Sequence, residues 1–311
     1  MKTVFMGSPF FAIPALHSLI SNKCEITAVY TQPDRRTGRG QQVMSCPVKR
    51  FAVSHGLRVI QPETFKDQRE IELLAELKPD IVIVAAYGQI LPGAILNLPK
   101  YKCLNIHPSL LPKYRGPSPV AAAILNGDAV TGVTIMLIER KVDSGPILIQ
   151  IEMPIEDEDT AESLSEKLAK AGAELLIETI AGWVSGRIEP QTQVESNASY
   201  TKMAVKEDGE LDWKLPAIQL WRKVRAYNPW PGCYTNWKGA RLRIMKAIVV
   251  LDRSGVPEGE VKALPRTAPA RIAVQTGEGL LGLITVQPEG KREMSAVEFI
   301  AGHRDFVGSI L

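Results

Sequence analysis

The clearest chemical signal in the chain is a pair of polar side chains at the end of an apolar segment, Asn105 and His107 in Lys-Cys-Leu-Asn-Ile-His-Pro. A protonated imidazole donates a hydrogen bond and a charge, and an amide N–H₂ adds a neutral donor, so the pair could stabilise an oxyanion. Such a site also needs a group that orients the histidine or takes up a proton. Asp143, in the turn Val-Asp-Ser-Gly between two predicted strands, is the best candidate for that role.

Each of these residues also has an ordinary structural explanation. An asparagine can cap a turn at a strand end, a histidine can fill the rim of a sheet, and Asp-Ser-Gly is a common turn sequence. Both explanations stay open at this point. A serine hydrolase is less attractive, because the chain has no Gly-x-Ser-x-Gly string and Ser109 lies only two residues from His107.

The strand that must carry the pair is predicted over residues 102–107. Side chains alternate along a strand, so Cys103, Asn105 and His107 face one side, and Pro108 then removes a backbone donor and ends the ladder. Asn105 and His107 therefore lie together at the carboxyl end of their strand, with Cα atoms about 6–7 Å apart.

Strands and helices alternate through the first part of the chain. Apolar runs predict strands at 2–6, 25–31, 57–60, 80–86, 102–107, 132–138 and 146–151, and helical spacing predicts helices at 9–20, 47–56, 67–77, 119–126 and 161–185. This alternation predicts an α/β fold with a doubly wound, mostly parallel, Rossmann-like sheet whose ligands bind beyond the carboxyl ends of the strands. The first turn, Gly-Ser-Pro-Phe-Phe-Ala, lacks two glycines of the dinucleotide fingerprint, and the sequence contains no P-loop.

The second part of the chain has a different character. Residues 187–215 are polar and rich in turn formers, which indicates a linker. A helix at 216–226, about five short apolar runs separated by turns, and a last helix at 295–301 predict a small antiparallel, OB-like β-barrel. We therefore predict a catalytic domain at 1–189, a linker at 190–206 and a barrel at 207–311.

The composition, with 311 residues of which 45% are hydrophobic and 23% charged, is that of an ordinary soluble protein. The four cysteines and four histidines show no metal-ligand spacing, so we expect reduced thiols and no metal. No charged-then-apolar leader opens the sequence, and no window reaches the roughly 20 apolar residues of a membrane helix. We therefore expect a cytoplasmic protein that does not enter a membrane.

Basic charge is concentrated towards the second part of the chain. Residues 191–311 hold 17 Lys and Arg against 13 Asp and Glu, whereas residues 1–190 hold 20 against 21. Arg241, Arg243 and Lys246 lie along one predicted strand, and alternation places Arg241 and Arg243 on the same face. This bias permits a polyanionic partner without proving one.

The loop at 32–42 holds a second basic cluster, Arg35, Arg36 and Arg39, with glycines on both sides of Arg39. Arginines in such a loop contact phosphates or base edges in nucleic-acid-binding proteins, but they also occur as a solvated surface. The residues alone leave both alternatives open.

The string Asn-Ile-His-Pro-Ser-Leu-Leu-Pro-Lys-Tyr-Arg-Gly, with the later Val-Asp-Ser-Gly-Pro-Ile-Leu, resembles the tetrahydrofolate-dependent formyltransferase superfamily, whose sheet carries an Asn–His–Asp triad. Segments at 30–40, 85–92, 200–213 and 225–232 narrow the resemblance to the methionyl-tRNA formyltransferase family. The resemblance implies direct transfer of the formyl group of the co-substrate 10-formyltetrahydrofolate to the free amino group of methionyl initiator tRNA, for translation initiation. It implies neither a metal nor a covalent enzyme intermediate.

The resemblance also implies roles for individual residues. Asn105 and His107 would hold the oxyanion, and Asp143 would orient His107 and help to remove the amine proton. Two loops would form the folate site, with the residues Ser109, Leu110, Leu111, Pro112, Ala86, Tyr87 and Gly88. A flat pterin needs apolar walls and a few backbone hydrogen bonds, which such loops provide. The tail at 113–116 is expected to close the loop near the acceptor, with no role for its individual residues.

For the tRNA, the resemblance implies that the loop 32–42 enters the acceptor stem. Arg39 would be its main contact, beside Arg35 and Arg36, although Gln41 and Gln42 stand where relatives often carry lysines. The barrel would supply a second phosphate-contacting surface through Arg241, Arg243 and Lys246. We expect the chain to act as a monomer, and we expect Trp230, between two prolines, to be a packing residue.

Three other functions stay open. A sugar-amine formyltransferase, or a hydrolase that releases formate from the folate, would keep the Asn–His–Asp set without needing the basic regions. A tRNA-binding module with a decayed catalytic domain would need the basic regions but not the intact set.

Overall fold

The computed structural model describes residues 1–37, 42–250 and 257–311. The first group of elements comprises β1 (Lys2–Gly7), α1 (Ile13–Ser21), β2 (Glu25–Tyr30), β3 (Arg35–Thr37), β4 (Gln42–Met44), α2 (Pro47–Ser54), β5 (Val59–Ile60), α3 (Gln68–Glu76), β6 (Ile81–Ala85), α4 (Gly93–Leu96), β7 (Cys103–His107), α5 (Pro119–Asn126), β8 (Val130–Leu137), β9 (Ile147–Pro154) and α6 (Ala161–Val184). The second group comprises α7 (Ala217–Ala226), β10 (Cys233–Trp237), β11 (Ala240–Val250), β12 (Val261–Ala263), β13 (Ile272–Gln275), β14 (Leu280–Pro288), β15 (Met294–Ser295) and α8 (Ala296–Gly302).

The first sheet has seven strands in the order β5-β2-β1-β6-β7-β8-β9. The strands from β5 to β7 are parallel to one another. At one edge of the sheet, β8 pairs antiparallel with β7, and β9 pairs antiparallel with β8. The strand order reverses between β1 and β6, and in open α/β sheets the ligand crevice opens at such a switch point. The predicted doubly wound, mostly parallel fold is confirmed.

Helices cover both faces of this sheet. On one face, Leu74 of α3 and Ile95 of α4 pack in a buried cluster with Val84 and Cys103. On the other face α6 approaches closely, because a Cβ added at its Gly172 would lie 2.8 Å from the Ile106 side chain. Cys103 and Ile106 therefore face opposite sides of the sheet, as alternation predicts. Asn105 and His107, the predicted catalytic pair, lie on the same side as Cys103.

The turn after β1 differs from its prediction. The helix expected from residue 9 begins at Ile13, after a single 3₁₀ turn at Phe10–Ala12. A Cβ added at Gly7 would lie 2.7 Å from the Ala12 Cβ and 2.8 Å from the Ala85 carbonyl oxygen. The tight turn thus passes directly over the neighbouring strand, and only glycine fits there.

The second sheet is antiparallel, in the order β10-β11-β14-β13-β12, with β15 paired to β14. Its core contains Leu220 and Val224 of α7 and Phe299 of α8, packed with Ile244 and Leu283 of the strands. The predicted small antiparallel domain is confirmed, and α7 and α8 begin and end within one residue of their predicted ranges.

Contacts divide the chain into two compact units, each described here by itself. The first comprises Met1–Pro119, Val130–Pro154 and Ser165–Thr201, and the second comprises Val120–Ala129, Ile155–Leu164 and Lys202–Leu311. The segment 190–206, predicted to be a linker, is shared between the units, because its residues up to Thr201 belong to the first. The domain ranges derived from the sequence stay a prediction.

Candidate active site

The strand end predicted to carry the chemistry lies beside the switch point. β7 pairs with β6 and β8, so that Asn105 stands opposite Val84 on one side and Met136 on the other. Asn105 is half-buried, and its amide forms no hydrogen bond with any residue that the structure describes. A half-buried amide that the fold itself leaves unused has donors available to a ligand.

His107, two residues along the same face, is almost fully buried, with 4% of its surface exposed. Its Nε2–H donates to the Tyr114 carbonyl oxygen at 3.0 Å, and its Nδ1 lies 3.6 Å from Asp143 Oδ2. Burial lowers the pKa of His107, although Asp143 and the Tyr114 carbonyl oppose this shift. Burial thus favours the neutral imidazole, while the adjacent carboxylate favours the protonated one.

Asp143 reaches the site from the loop between β8 and β9. Its Oδ2 accepts a hydrogen bond from the Gly116 N–H at 2.8 Å. Its φ of +50° lies in the left-handed region, which a short polar residue tolerates better than most. At Gly145, two residues later, an added Cβ would lie 1.9 Å from the Leu137 carbonyl oxygen, so the loop returns close against β8. The structure thus brings His107 and Asp143 into contact.

The loop after β7 is held from the antiparallel edge of the sheet. Thr134 Oγ1 on β8 donates to the Ser109 carbonyl at 2.6 Å and accepts from the Leu111 N–H at 3.1 Å. Gln150 Nε2 on β9 donates to the Leu111 carbonyl at 2.9 Å. These bonds fix the loop backbone to β8 and β9.

The predicted folate residues on this loop differ in exposure. Ser109 and Leu111 are buried, and the Ser109 hydroxyl donates to the Lys113 carbonyl at 2.7 Å. Their side chains therefore shape the loop. Leu110 and Pro112 remain partly exposed and accessible to a bound molecule.

The second predicted folate loop, after β6, alternates in the same way. Ala86 and Gly88 are exposed and have φ values of +47° and +83°. Tyr87 turns inward and packs in the core, with its ring centroid 6.2 Å from that of Phe65. Its carbonyl accepts hydrogen bonds from Gln32 Nε2 at 3.1 Å and from the Ser8 hydroxyl at 3.4 Å.

Two family models match the chain: "Formyl transferase" over residues 1–180 and "Formyl transferase, C-terminal domain" over residues 204–304. The methionyl-tRNA formyltransferase of Chloroflexus aurantiacus is 48% identical over 307 residues, covering 98% of both chains. That of a Roseiflexus species is 48% identical over 306 residues, covering 98% of this chain and 93% of the relative. The chain belongs to the methionyl-tRNA formyltransferase family. It is therefore a formyltransferase.

A solved structure shares the fold of this formyltransferase. HypX from Aquifex aeolicus, in complex with tetrahydrofolic acid, is 18% identical and matches with a TM-score of 0.67, covering 99% of this chain and 48% of that one. At this identity the likeness supports the architecture alone.

The segment that carries Arg35 and Arg36 is held at its start by hydrogen bonds to Asp34. Arg35 is exposed and its Nη2 donates to Gln32 Oε1 at 3.3 Å, while Arg36 follows it in β3. Lys49 and Gln61 both bond to the Asp34 carboxylate, the lysine at 2.5 Å and the Gln61 amide at 3.0 Å. Arg39 lies outside the described residues.

In the second unit, the three predicted basic residues share the outer face of β11. The register shifts around residue 245, so that Leu242, Ile244 and Ala247 are buried while Lys246 is exposed. The Arg241 guanidinium lies 4.0 Å from the centre of the Tyr234 ring.

Arg243 on that face is partly committed within the protein. It donates to Gln287 Oε1 and to the Pro229 carbonyl, each at 3.3 Å. The adjacent Trp230 is 63% exposed, so its prediction as a packing residue is wrong. The core of this unit is instead filled by Trp213, whose indole N–H donates to Thr235 Oγ1 at 3.1 Å.

Two partners of His107 and Asp143 could not be found by reasoning from the sequence, because both are backbone groups of the tail at 113–116. The Tyr114 carbonyl accepts from His107, and the Gly116 N–H donates to Asp143. The φ of +107° at Gly116 explains the glycine, since a side chain there would be strained. The tail, which had no predicted role for its individual residues, therefore contacts both His107 and Asp143.

Two other features are absent from the part of the chain that the structure describes. Among the described residues, no group of three or more His, Cys, Asp or Glu side chains could hold a metal ion. Within the same ranges, no helix has the length and apolar character needed to span a membrane.

Proposed function

We propose that this formyltransferase transfers the formyl group of 10-formyltetrahydrofolate to the free amino group of methionyl initiator tRNA, as a monomer, for translation initiation. One observation carries the proposal: the Asn105 amide, which bonds to none of the described residues, lies on the same strand face as His107, whose ring contacts Asp143, at the carboxyl end of β7. The names of relatives that are 48% identical over nearly their whole length support the same acceptor.

The proposed reaction begins when the methionyl amine attacks the formyl carbon and forms a C–N bond. The electrons of the carbonyl double bond move to its oxygen, and the Asn105 N–H₂ donates a hydrogen bond to that oxyanion. The His107 Nε2–H, which otherwise bonds the neutral Tyr114 carbonyl, can turn to the oxyanion because a charged acceptor binds a donor more strongly. The oxyanion then re-forms the carbonyl and the bond to folate N10 breaks.

The reaction also moves one proton, from the attacking amine to the departing folate N10. The Asp143 carboxylate and the neutral Nδ1 of His107, 3.6 Å apart, form a pair that can hold this proton between the two steps. No covalent bond to the enzyme forms, and the products are formylmethionyl-tRNA and tetrahydrofolate.

The folate would lie against the loops that follow β6 and β7, at the carboxyl ends of two adjacent strands. Ala86, Gly88, Leu110 and Pro112 supply exposed or partly exposed surface, whereas Ser109, Leu111 and Tyr87 shape the loops from within. Such walls suit a flat pterin, which also needs backbone donors and acceptors. The phosphates of the tRNA would meet the basic residues Arg35, Arg36, Arg39, Arg241, Arg243 and Lys246.

An acceptor comparison tests the proposal. The purified chain is incubated with 10-formyltetrahydrofolate and with methionyl initiator tRNA, a sugar amine, or water alone. We expect rapid formylation of the charged tRNA and little turnover with the other two. Preferred formylation of the sugar amine, or formate release at the same rate without tRNA, would replace this function by one of the alternatives.

A further inference from the structure

Arg115, in the tail after the catalytic loop, has none of its surface exposed. Its Nε and Nη2 donate to Gln193 Oε1 at 3.0 and 2.9 Å, and its Nη1 donates to Glu195 Oε2 at 2.9 Å and to the Tyr200 hydroxyl at 2.8 Å. A buried guanidinium is costly unless its N–H groups are paired. All of these partners lie in one segment, residues 193–201, which we call the strap.

The strap also pairs with the backbone of the tail. The Arg115 N–H donates to the Ser199 carbonyl at 2.9 Å, and the Thr201 N–H donates to the Arg115 carbonyl at 2.7 Å. The Tyr114 N–H donates to Ser199 Oγ at 2.9 Å. The strap therefore runs beside the tail like a neighbouring strand.

This pairing fixes the two peptide groups that flank the Arg115 Cα. One of them carries the Tyr114 carbonyl, which accepts from His107, and the other carries the Gly116 N–H, which donates to Asp143. Holding Arg115 in place thus orients the backbone partner of each acid–base residue.

Gln193 connects the same arginine to the Asp143 loop. Arg115 can only donate, so the Gln193 amide oxygen must face it, and the amide N–H₂ faces the opposite way. That group donates to the Asp143 carbonyl at 2.9 Å and to the Gly145 carbonyl at 2.7 Å. The buried amide therefore holds the loop in which Asp143 has its left-handed conformation.

We propose that Arg115 and Gln193 are positioning residues of formyl transfer, which fix His107 and Asp143 through the strap although neither touches a reacting atom. This inference rests on the proposed function. It assigns the buried arginine a part in the rate of the chemical step, beyond its contribution to folding.

The variant Gln193→Glu distinguishes an effect on the rate of the chemical step from an effect on folding. A carboxylate of the same shape still accepts from Arg115, but it cannot donate to the Asp143 and Gly145 carbonyls. We expect the variant to fold, with kcat lowered about 10- to 100-fold and KM for both substrates nearly unchanged, because two neutral hydrogen bonds that orient the loop are lost. Gln191→Glu makes the same chemical change at an exposed position two residues earlier and should leave kcat unaltered.

If the Gln193→Glu variant does not fold, the variant Tyr200→Phe tests the positioning role instead. This residue is 55% exposed, and the change removes only the hydroxyl that accepts from Arg115. We expect a folded variant with kcat lowered about threefold. The inference would be overturned by a folded Gln193→Glu variant whose kcat equals that of the unaltered chain. If that variant does not fold, the same result for Tyr200→Phe would overturn it. Failure of the unaltered chain to formylate charged tRNA would overturn the proposed function instead.

Discussion

At the scale of residues, the central feature is that the fold uses His107 and leaves Asn105 unused. Both ring nitrogens of His107 face protein acceptors, the Tyr114 carbonyl and the Asp143 carboxylate. Asn105 has no such partner among the described residues. The Asn105 amide can therefore donate to a bound oxyanion without first breaking a hydrogen bond within the protein, and its substitution gives the most direct test of the oxyanion site.

We expect Asn105→Ala to lower kcat about 10²- to 10³-fold, the scale for loss of one oxyanion-hole donor, while folding is retained. Asn105→Asp, which preserves volume, should lower kcat at least as far at pH 7, because a carboxylate repels an oxyanion. Steady-state kinetics with charged initiator tRNA measures both effects. Turnover close to that of the unaltered chain in Asn105→Ala would remove this residue from the mechanism.

The buried histidine also makes stability depend on pH. Its pKa is lowered in the folded chain, whereas in the unfolded chain it is near 6.5, so below that pH the unfolded state binds the additional proton. The free energy of unfolding should therefore fall as the pH drops from about 7.5 to 5.5. Urea denaturation should show a smaller fall in His107→Gln, and equal falls in both proteins would contradict a lowered pKa.

At the scale of elements, the loop that carries Asp143 depends on close backbone contact. An added Cβ at Gly145 would lie 1.9 Å from the Leu137 carbonyl, so the loop must shift in Gly145→Ala. We expect this variant to lose about 1–3 kcal/mol of unfolding free energy, as overpacked variants do, together with much of its kcat. Gly302→Ala, at the end of α8 with nothing within 4 Å, should change neither quantity in a thermal melt or an activity assay.

The elements themselves were largely predictable from the sequence. β6 reads as an unbroken apolar run because both its faces are covered, and alternation along β7 showed that Asn105 and His107 share a face. The strap was not predictable, because its polar residues bond to groups about 80 positions away, and such pairing leaves no local periodicity. For the same reason nothing around Arg115 indicated that it would be buried.

At the scale of the whole molecule, basic residues occur in both units, on β3 and on β11. If they meet tRNA phosphates, kcat/KM for charged tRNA should fall as salt concentration rises, because bound counterions are released on binding. Lys246→Gln should weaken binding and reduce the slope of log(kcat/KM) against log[salt] by about one. Lys170→Gln, at an exposed position on α6, should leave the slope unchanged, and the same result for Lys246→Gln would exclude that residue from the interface.

The sequence showed where the chain changes character, but not where one compact unit ends and the other begins. Polar composition marked 187–215 as a linker, yet residues up to Thr201 belong with the first unit. Composition reports the absence of a local apolar pattern, whereas membership of a unit depends on long-range hydrogen bonds such as that from the Thr201 N–H to the Arg115 carbonyl.

The strap has a consequence for the order in which the molecule is made. A ribosome that has joined residue 180 to the chain has polymerised every strand of the first sheet and also Asn105, His107 and Asp143. The strap is added afterwards, so the tail and the Asp143 loop are synthesised before the segment to which they bond. Under the proposed positioning role, translation must pass Thr201 before His107 and Asp143 are both held in place.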